Sequence, residues 1–186
     1  GDPMTCNMKK LMLPDFFQAS EVPIVHKFYR NYFKDCYVCG DVDYIFGPNT
    51  AFFDHCEIHS IARVSEGKAY ITAASTPAGQ EFGLVFSHCR ITGEEPDSVY
   101  LGRPWRDCAK TAFICCELGD HICPEGWQNW GKVRAEVLSD YIEYGNFGPG
   151  ADCSGRSPLS RCLVNPEVET YFSKENVLVG EDGWIP

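Results

Sequence analysis

Phe33-Lys-Asp-Cys36-Tyr-Val38, Phe53-Asp-His-Cys56-Glu-Ile58, Phe86-Ser-His-Cys89-Arg-Ile91 and Phe113-Ile-Cys-Cys116-Glu-Leu118 are four copies of one pattern, Phe-x-x-Cys-x-aliphatic. In an extended chain the Cys and the aliphatic residue, two apart, share a face, whereas Phe and Cys, three apart, do not. A bend between Phe and Cys turns both inward. Short period-2 pieces that recur every few dozen residues predict a β-solenoid with loops of variable length. Equivalent residues of successive turns then stack as internal ladders.

On this reading the cysteines are small buried hydrophobes. Eleven of them in 186 residues do not fit a short, evenly paired disulfide scaffold. His55-Cys56, His88-Cys89, Cys115-Cys116 and His121-x-Cys123 place metal-ligand types together, but strand neighbours point to opposite faces. Cys36-x-x-Cys39 lacks a second half at zinc-finger spacing. The sequence therefore predicts no metal site.

Between the second and third repeats, Lys68 to Ser75 reads as a further strand ending at the Thr76-Pro-Ala-Gly79 turn. After Trp130 the pattern loosens. Asn165-Pro166-Glu167 predicts a short helix running to about Glu175, covering the last solenoid turn. Residues 1–29 match nothing in the pattern and are expected to form a loop or a divergent turn beside a β-helix domain over 30–186. The opening Gly1-Asp-Pro-Met-Thr is neither an initiator nor a targeting segment and reads as the start of a fragment.

Composition narrows the function. A net charge of −10 argues against nucleic acid as the main partner. It allows an acidic polymer only where the polymer's charge is masked or offset by local cations such as Arg103, Arg106 and Lys110. No apolar run approaches the length of a membrane span.

Two boxes carry chemistry: Asp41-Val-Asp-Tyr-Ile-Phe-Gly47 and Tyr100-Leu-Gly-Arg-Pro-Trp105. Asp41 and Asp43 are expected to share a strand face, with one of them lining an exterior groove. Pro104 fixes its own φ and holds Arg103 extended, so Arg103 and Trp105 are displayed stiffly. A guanidinium fork suits a carboxylate, and an indole suits a sugar ring.

These boxes resemble, in order, two signature motifs of the pectin methylesterases. The resemblance continues through Gly119-Asp-His-Ile-Cys-Pro-Glu-Gly-Trp127, Glu143-Tyr-Gly-Asn-Phe-Gly-Pro-Gly150 and the closing Asn176 to Trp184. It implies an all-β fold: a right-handed parallel β-helix, truncated on its N-terminal side, with a short C-terminal helix and loop cap. It also implies hydrolysis of galacturonate methyl esters in pectin, releasing methanol. Asp43 would be the nucleophile and Arg103 would orient it. Trp105, Tyr44 and Trp127 would bind the polymer. No cofactor or metal is implied. The partner is methyl-esterified pectin (homogalacturonan), with no nucleic acid and no membrane, and a monomeric enzyme secreted or held in the cell envelope is expected.

The family's upstream Gln-Asp-Thr-Leu box, which carries the general acid and an oxyanion donor, is absent. Asp2, Asp15 and Glu21 are the carboxylates available in its place, with Asp41 a more remote one. Two alternatives stay open. One is a polyuronate-binding β-helix without catalysis. The other is a lyase or glycosidase that uses Asp41 and Asp43 as acid and base.

Overall fold

The computed structural model describes residues 29–63, 66–180 and 182–184, together with the short strand Leu11–Met12 (β1). The chain then winds in coils of three strands. The first coil holds β2 (Arg30–Lys34), β3 (Tyr37–Gly40) and β4 (Val42–Gly47). The second holds β5 (Thr50–Asp54), β6 (Glu57–Ser60) and β7 (Ala69–Ala74). The third holds β8 (Leu84–Ser87), β9 (Arg90–Gly93) and β10 (Val99–Gly102). The fourth has β11 (Lys110–Ile114) and β12 (Glu117–Leu118). It is followed by helix α1 (Ala135–Leu138), then β13 (Asp140–Tyr144) and β14 (Ser160–Leu163).

Like strands of successive coils pair in parallel. They form a six-stranded face β14-β13-β11-β8-β5-β2 and two four-stranded faces, β12-β9-β6-β3 and β1-β4-β7-β10. This is the parallel β-helix that the repeats predicted.

The ladders follow the pattern residue by residue. Phe33, Phe53, Phe86 and Phe113 are in register. Their rings stack at 4.7, 4.6 and 4.5 Å between centroids. Each such contact adds about 0.5–1.5 kcal/mol beyond area burial. Val38, Ile58, Ile91 and Leu118 form a second buried ladder on the next face.

The bend between Phe and Cys is a left-handed corner. Asp35, His55, His88 and Cys115 have φ of 52°, 51°, 55° and 53°. A non-glycine residue in this region costs roughly 1 kcal/mol or more. The ladder that passes through the corner holds it there. The amide of each corner residue donates to a carbonyl of the next coil, as in Asp35 N to Asp54 O, His55 N to Ser87 O and His88 N to Ile114 O.

The cysteine thiols close the corner from inside. Cys56, Cys89 and Cys116 donate to the carbonyls of Phe33, Phe53 and Phe86, one coil back, at 3.5, 3.3 and 3.4 Å. The neighbouring Cys89 thiol, together with burial, pushes the Cys56 thiol far up, and burial does the same to Cys89. The Cys56 and Cys89 thiols stay protonated, and all three cysteines are buried as core.

The repeat does not end where the sequence pattern loosens. Phe113 is in register with Glu143, and Gly145 (φ 63°) takes the corner. Asn146 stands in the cysteine slot, its side-chain oxygen accepting from the Cys116 amide at 2.9 Å. A β-carbon on Gly145 would lie 3.0 Å from Cys115 Sγ, so glycine answers both the φ and the space. Glu143 is buried where a Phe would sit, and Arg156 grips it with Nε to Oε1 at 2.9 Å and Nη2 to Oε2 at 3.0 Å.

The C-terminal helix is two short ones, α2 (Glu167–Tyr171) and α3 (Lys174–Val177), separated where Ser173 caps α3. They do not sit on the last coil's edge. They lie over the outer side of the six-stranded face, where Phe52, Val85, Ala112, Ile114 and Ile142 form an apolar cluster with Phe172, Val177 and Leu178. Strands that carry apolar residues on both faces need such a cover. Cys153 and Cys162 form a disulfide that ties β14 to the preceding loop.

Candidate active site

Asp43 sits on β4 at a break in the ladder. Val42 pairs with Tyr70 and Ile45 with Thr72, so two residues of β4 oppose one of β7. This bulge puts Asp43 in the left-handed region, φ 49°. Bulges re-aim side chains, and this one turns the carboxylate onto the outer surface while Tyr44 enters the core.

Arg103 follows directly after β10, its amide bonded to Thr72 O at 3.0 Å. Its fork meets Asp43 with Nε to Oδ1 at 3.0 Å and Nη2 to Oδ2 at 2.6 Å. The two side chains are 15% and 20% exposed, Arg103 and Asp43 respectively. Because β7 lies between β4 and β10, the pair spans two strand spacings, about 9–10 Å. The guanidinium therefore crosses β7, where the Tyr70 ring lies 3.9 Å from Cζ. Trp130, from the loop after the fourth coil, brings a second ring to 4.1 Å.

Trp105 is partly exposed, with its amide on Ala74 O at 2.9 Å and its ring edge-on to Phe46 at 5.3 Å. Lys132 Nζ holds the carbonyls of Pro104 and Trp105 at 2.9 and 2.5 Å, which fixes the loop that displays the indole. Burial leads in holding the Lys132 ammonium below its ordinary range, and the nearby arginines add to it. Beside Trp105 opens a cleft of about 390 Å³ lined by Ser75, Thr76, Trp105, Arg106 and Lys132 among others.

Three expectations change. Tyr44 is fully buried with its hydroxyl on Ser60 Oγ at 2.9 Å, so it is core and not groove wall. Trp127 is 1% exposed, stacked on Tyr141 at 4.2 Å and donating to Glu143 at 2.9 Å. It anchors the core around the buried Glu143–Arg156 pair. Asp41 lies outside β4 and accepts from the Val42 amide at 2.8 Å. Asp41 therefore does not share a strand face with Asp43, because the strand begins only at Val42.

Asp2, Asp15 and Glu21 lie outside the described residues. Tyr70, Trp130 and Lys132 were missed. Tyr70 had a signal, its place on the strand run between the two boxes.

Fold and site together define a parallel β-helix with a carboxylate–guanidinium pair set among aromatics on one outer face. The chain belongs to the pectinesterase family, whose model matches residues 18–181. Pectinesterase 31 of Arabidopsis thaliana is 40% identical over 141 residues, covering 75% of this chain and 43% of that protein. The pectin methylesterase from carrot superposes with a TM-score of 0.72 at 30% identity, covering 80% of this chain and 50% of that one. A pectin methylesterase solved in complex with a hexasaccharide gives 0.67 at 27% identity, covering 84% and 52%. The chain spans less than half the length of the curated relatives it matches, 43% in each of two cases.

Proposed function

We propose that this chain hydrolyses galacturonate methyl esters of pectin, with Asp43 as nucleophile, Arg103 orienting it and Trp105 stacking on the polymer. The observation that carries the reading is the bidentate Asp43–Arg103 pair, half-buried on an outer face and walled by aromatic rings. The guanidinium takes one lone pair from each carboxylate oxygen and leaves the others free, fixed in direction.

A carboxylate oxygen of Asp43 attacks the ester carbonyl carbon, forming a C–O bond and a tetrahedral oxyanion. Collapse breaks the bond to the methoxy oxygen, which leaves as methanol with a proton from a second acid. Water then cleaves the acyl-enzyme anhydride, releasing the galacturonate carboxylate and restoring Asp43. The net charge of −10 suits a substrate whose carboxylates are masked as esters and favours release of the anionic product. The enzyme would act as a monomer outside the cell, where that polymer lies.

Methanol release from methylated pectin tests this. Release that vanishes in Asp43→Asn supports it. No methanol with pectin binding retained points to a polyuronate-binding β-helix, and shortened polymer chains point to a glycosidase or lyase.

A further inference from the structure

The left-handed corners stack, so corner residues of successive coils form a column on the outside of the helix. His55, His88 and Cys115 occupy this column in turn. The His55 and His88 rings lie parallel, 5.2 Å apart with a 7° angle between planes. Adjacent residues of one strand cannot chelate one ion, and that argument made a metal improbable from sequence. It does not apply here, because His88 and Cys115 are neighbours across coils, one strand spacing apart.

A third donor comes from a different element. Glu169 on α2 reaches His88 Nε2 to 3.8 Å. One donor atom each from His88, Cys115 and Glu169 lies within 4.8 Å of the others. We propose that His88, Cys115 and Glu169 form a site for a single borderline divalent transition-metal ion of the Zn²⁺ type. The ion would staple α2 to the corner column.

Four features of the site fit the proposal. The imidazole, thiolate and carboxylate donors suit zinc and exclude the all-oxygen chemistry of Ca²⁺ and Mg²⁺. The other His88 nitrogen, Nδ1, is engaged by Ser87 Oγ at 3.0 Å, the usual way a ligating imidazole has its free nitrogen and ring plane fixed. The stacked His55, itself bonded to Asp54 at 2.5 Å, holds that plane from below. Ligand distances of about 2.0–2.3 Å require the three donors to close by roughly 1 Å, which the exposed side chains of His88 and Glu169 allow. A water completes a tetrahedral set.

Cys115 ligates as the thiolate, so binding breaks its S–H bond, forms a metal–sulfur bond and releases the proton to solvent.

The other three-donor cluster among the described residues, Glu143 with Cys153 and Cys162, has its sulfurs in a disulfide and offers no thiolate. The His88 site is remote from Asp43 in the coil, on the corner between two other faces. Its test is independent of the esterase reading.

The test is anaerobic titration of the full chain, without a reductant that would open the Cys153–Cys162 disulfide, with Co²⁺ as a spectroscopic probe. The proposal expects one equivalent bound, with near-ultraviolet thiolate-to-cobalt absorption that Zn²⁺ displaces and a raised unfolding temperature with Zn²⁺. Cys115→Ser should abolish the band, and Glu169→Gln and Ser87→Ala should each weaken binding about tenfold or more. Cys36→Ser and Cys108→Ser should leave it intact. Absence of the band in the unmodified chain overturns the proposal, as does its persistence in Cys115→Ser or unchanged affinity in Glu169→Gln.

Discussion

Arg103 reaches Asp43 across an entire strand. Asp43 belongs to β4 and Arg103 directly follows β10; these strands do not pair, and the guanidinium travels over Tyr70 of β7 between them. A long, planar, multidentate side chain is required for that reach.

Arg103→Lys keeps the charge but loses the fork and the stacking. Methanol release is expected to fall on the order of a hundredfold, while urea unfolding shifts by less than about 1 kcal/mol. Activity within a few-fold of the original would refute the orienting role. Asp43→Asn should abolish release without destabilising the coil, since Asn tolerates the left-handed φ of that position.

Trp130→Ala removes one of the two rings beside the guanidinium. Cation–π contacts of this kind are worth about 0.5–2 kcal/mol. The esterase kcat/KM is therefore expected to drop about three- to thirtyfold, with a smaller drop for Tyr70→Phe, which keeps the ring. Equal kinetics in all three proteins would mean that the rings do not position Arg103.

The Glu143–Arg156 pair is buried, its side chains 2% and 4% exposed. Removing one partner strands a charge in the core. Arg156→Met should cost about 3–5 kcal/mol in denaturant unfolding. The double variant with Glu143→Leu should recover part of that, because no ion is then left unpaired. If the double is no more stable than the single, the pair is not the source of the loss.

His121 is 1% exposed, and neither ring nitrogen finds a partner among the described residues. Burial, helped by His59 and opposed by Asp120, brings its pKa down to about 4. The folded value lies below the unfolded one of about 6.5. The stability of the neutral ring is thus fully present above pH ~6.5 and is lost as pH falls toward 4. Unfolding midpoints measured between those limits should decline in the native chain and decline less in His121→Leu. Parallel slopes would exclude His121 as the titrating group.

Gly145 fills the fifth left-handed corner, where a β-carbon would press on Cys115 Sγ at 3.0 Å. Gly145→Ala should cost roughly 1 kcal/mol or more, whereas Asp35→Gly, at the same corner of the first coil, should be neutral or slightly stabilising. Thermal unfolding of the two variants checks this, and similar losses in both would contradict it.

Four copies of Phe-x-x-Cys-x-aliphatic were enough to determine the coil, because each copy specifies which residues face inward and the copies can only stack. Sequence alone also marked Arg103 and Trp105, whose side chains are hard to explain as packing, and the family resemblance singled out Asp43. The fifth repeat escaped it. Glu143, Gly145 and Asn146 satisfy the same positions by ion pairing, φ and amide bonding, which no hydrophobic pattern reveals.

Only the tertiary structure decided which strand lies between Asp43 and Arg103, and that Tyr70 and Trp130 flank the guanidinium. It likewise decided that Tyr44 and Trp127 are core. Period-2 patterning assigns faces along one strand, but the bulge within β4 breaks the alternation, so that Tyr44 and Ile45 are both buried. Contacts between coils depend on loop lengths that carry no periodic signal. The column joining His88 to Cys115 exists only because two left-handed corners, 27 residues apart in the chain, come to rest one strand spacing apart in space.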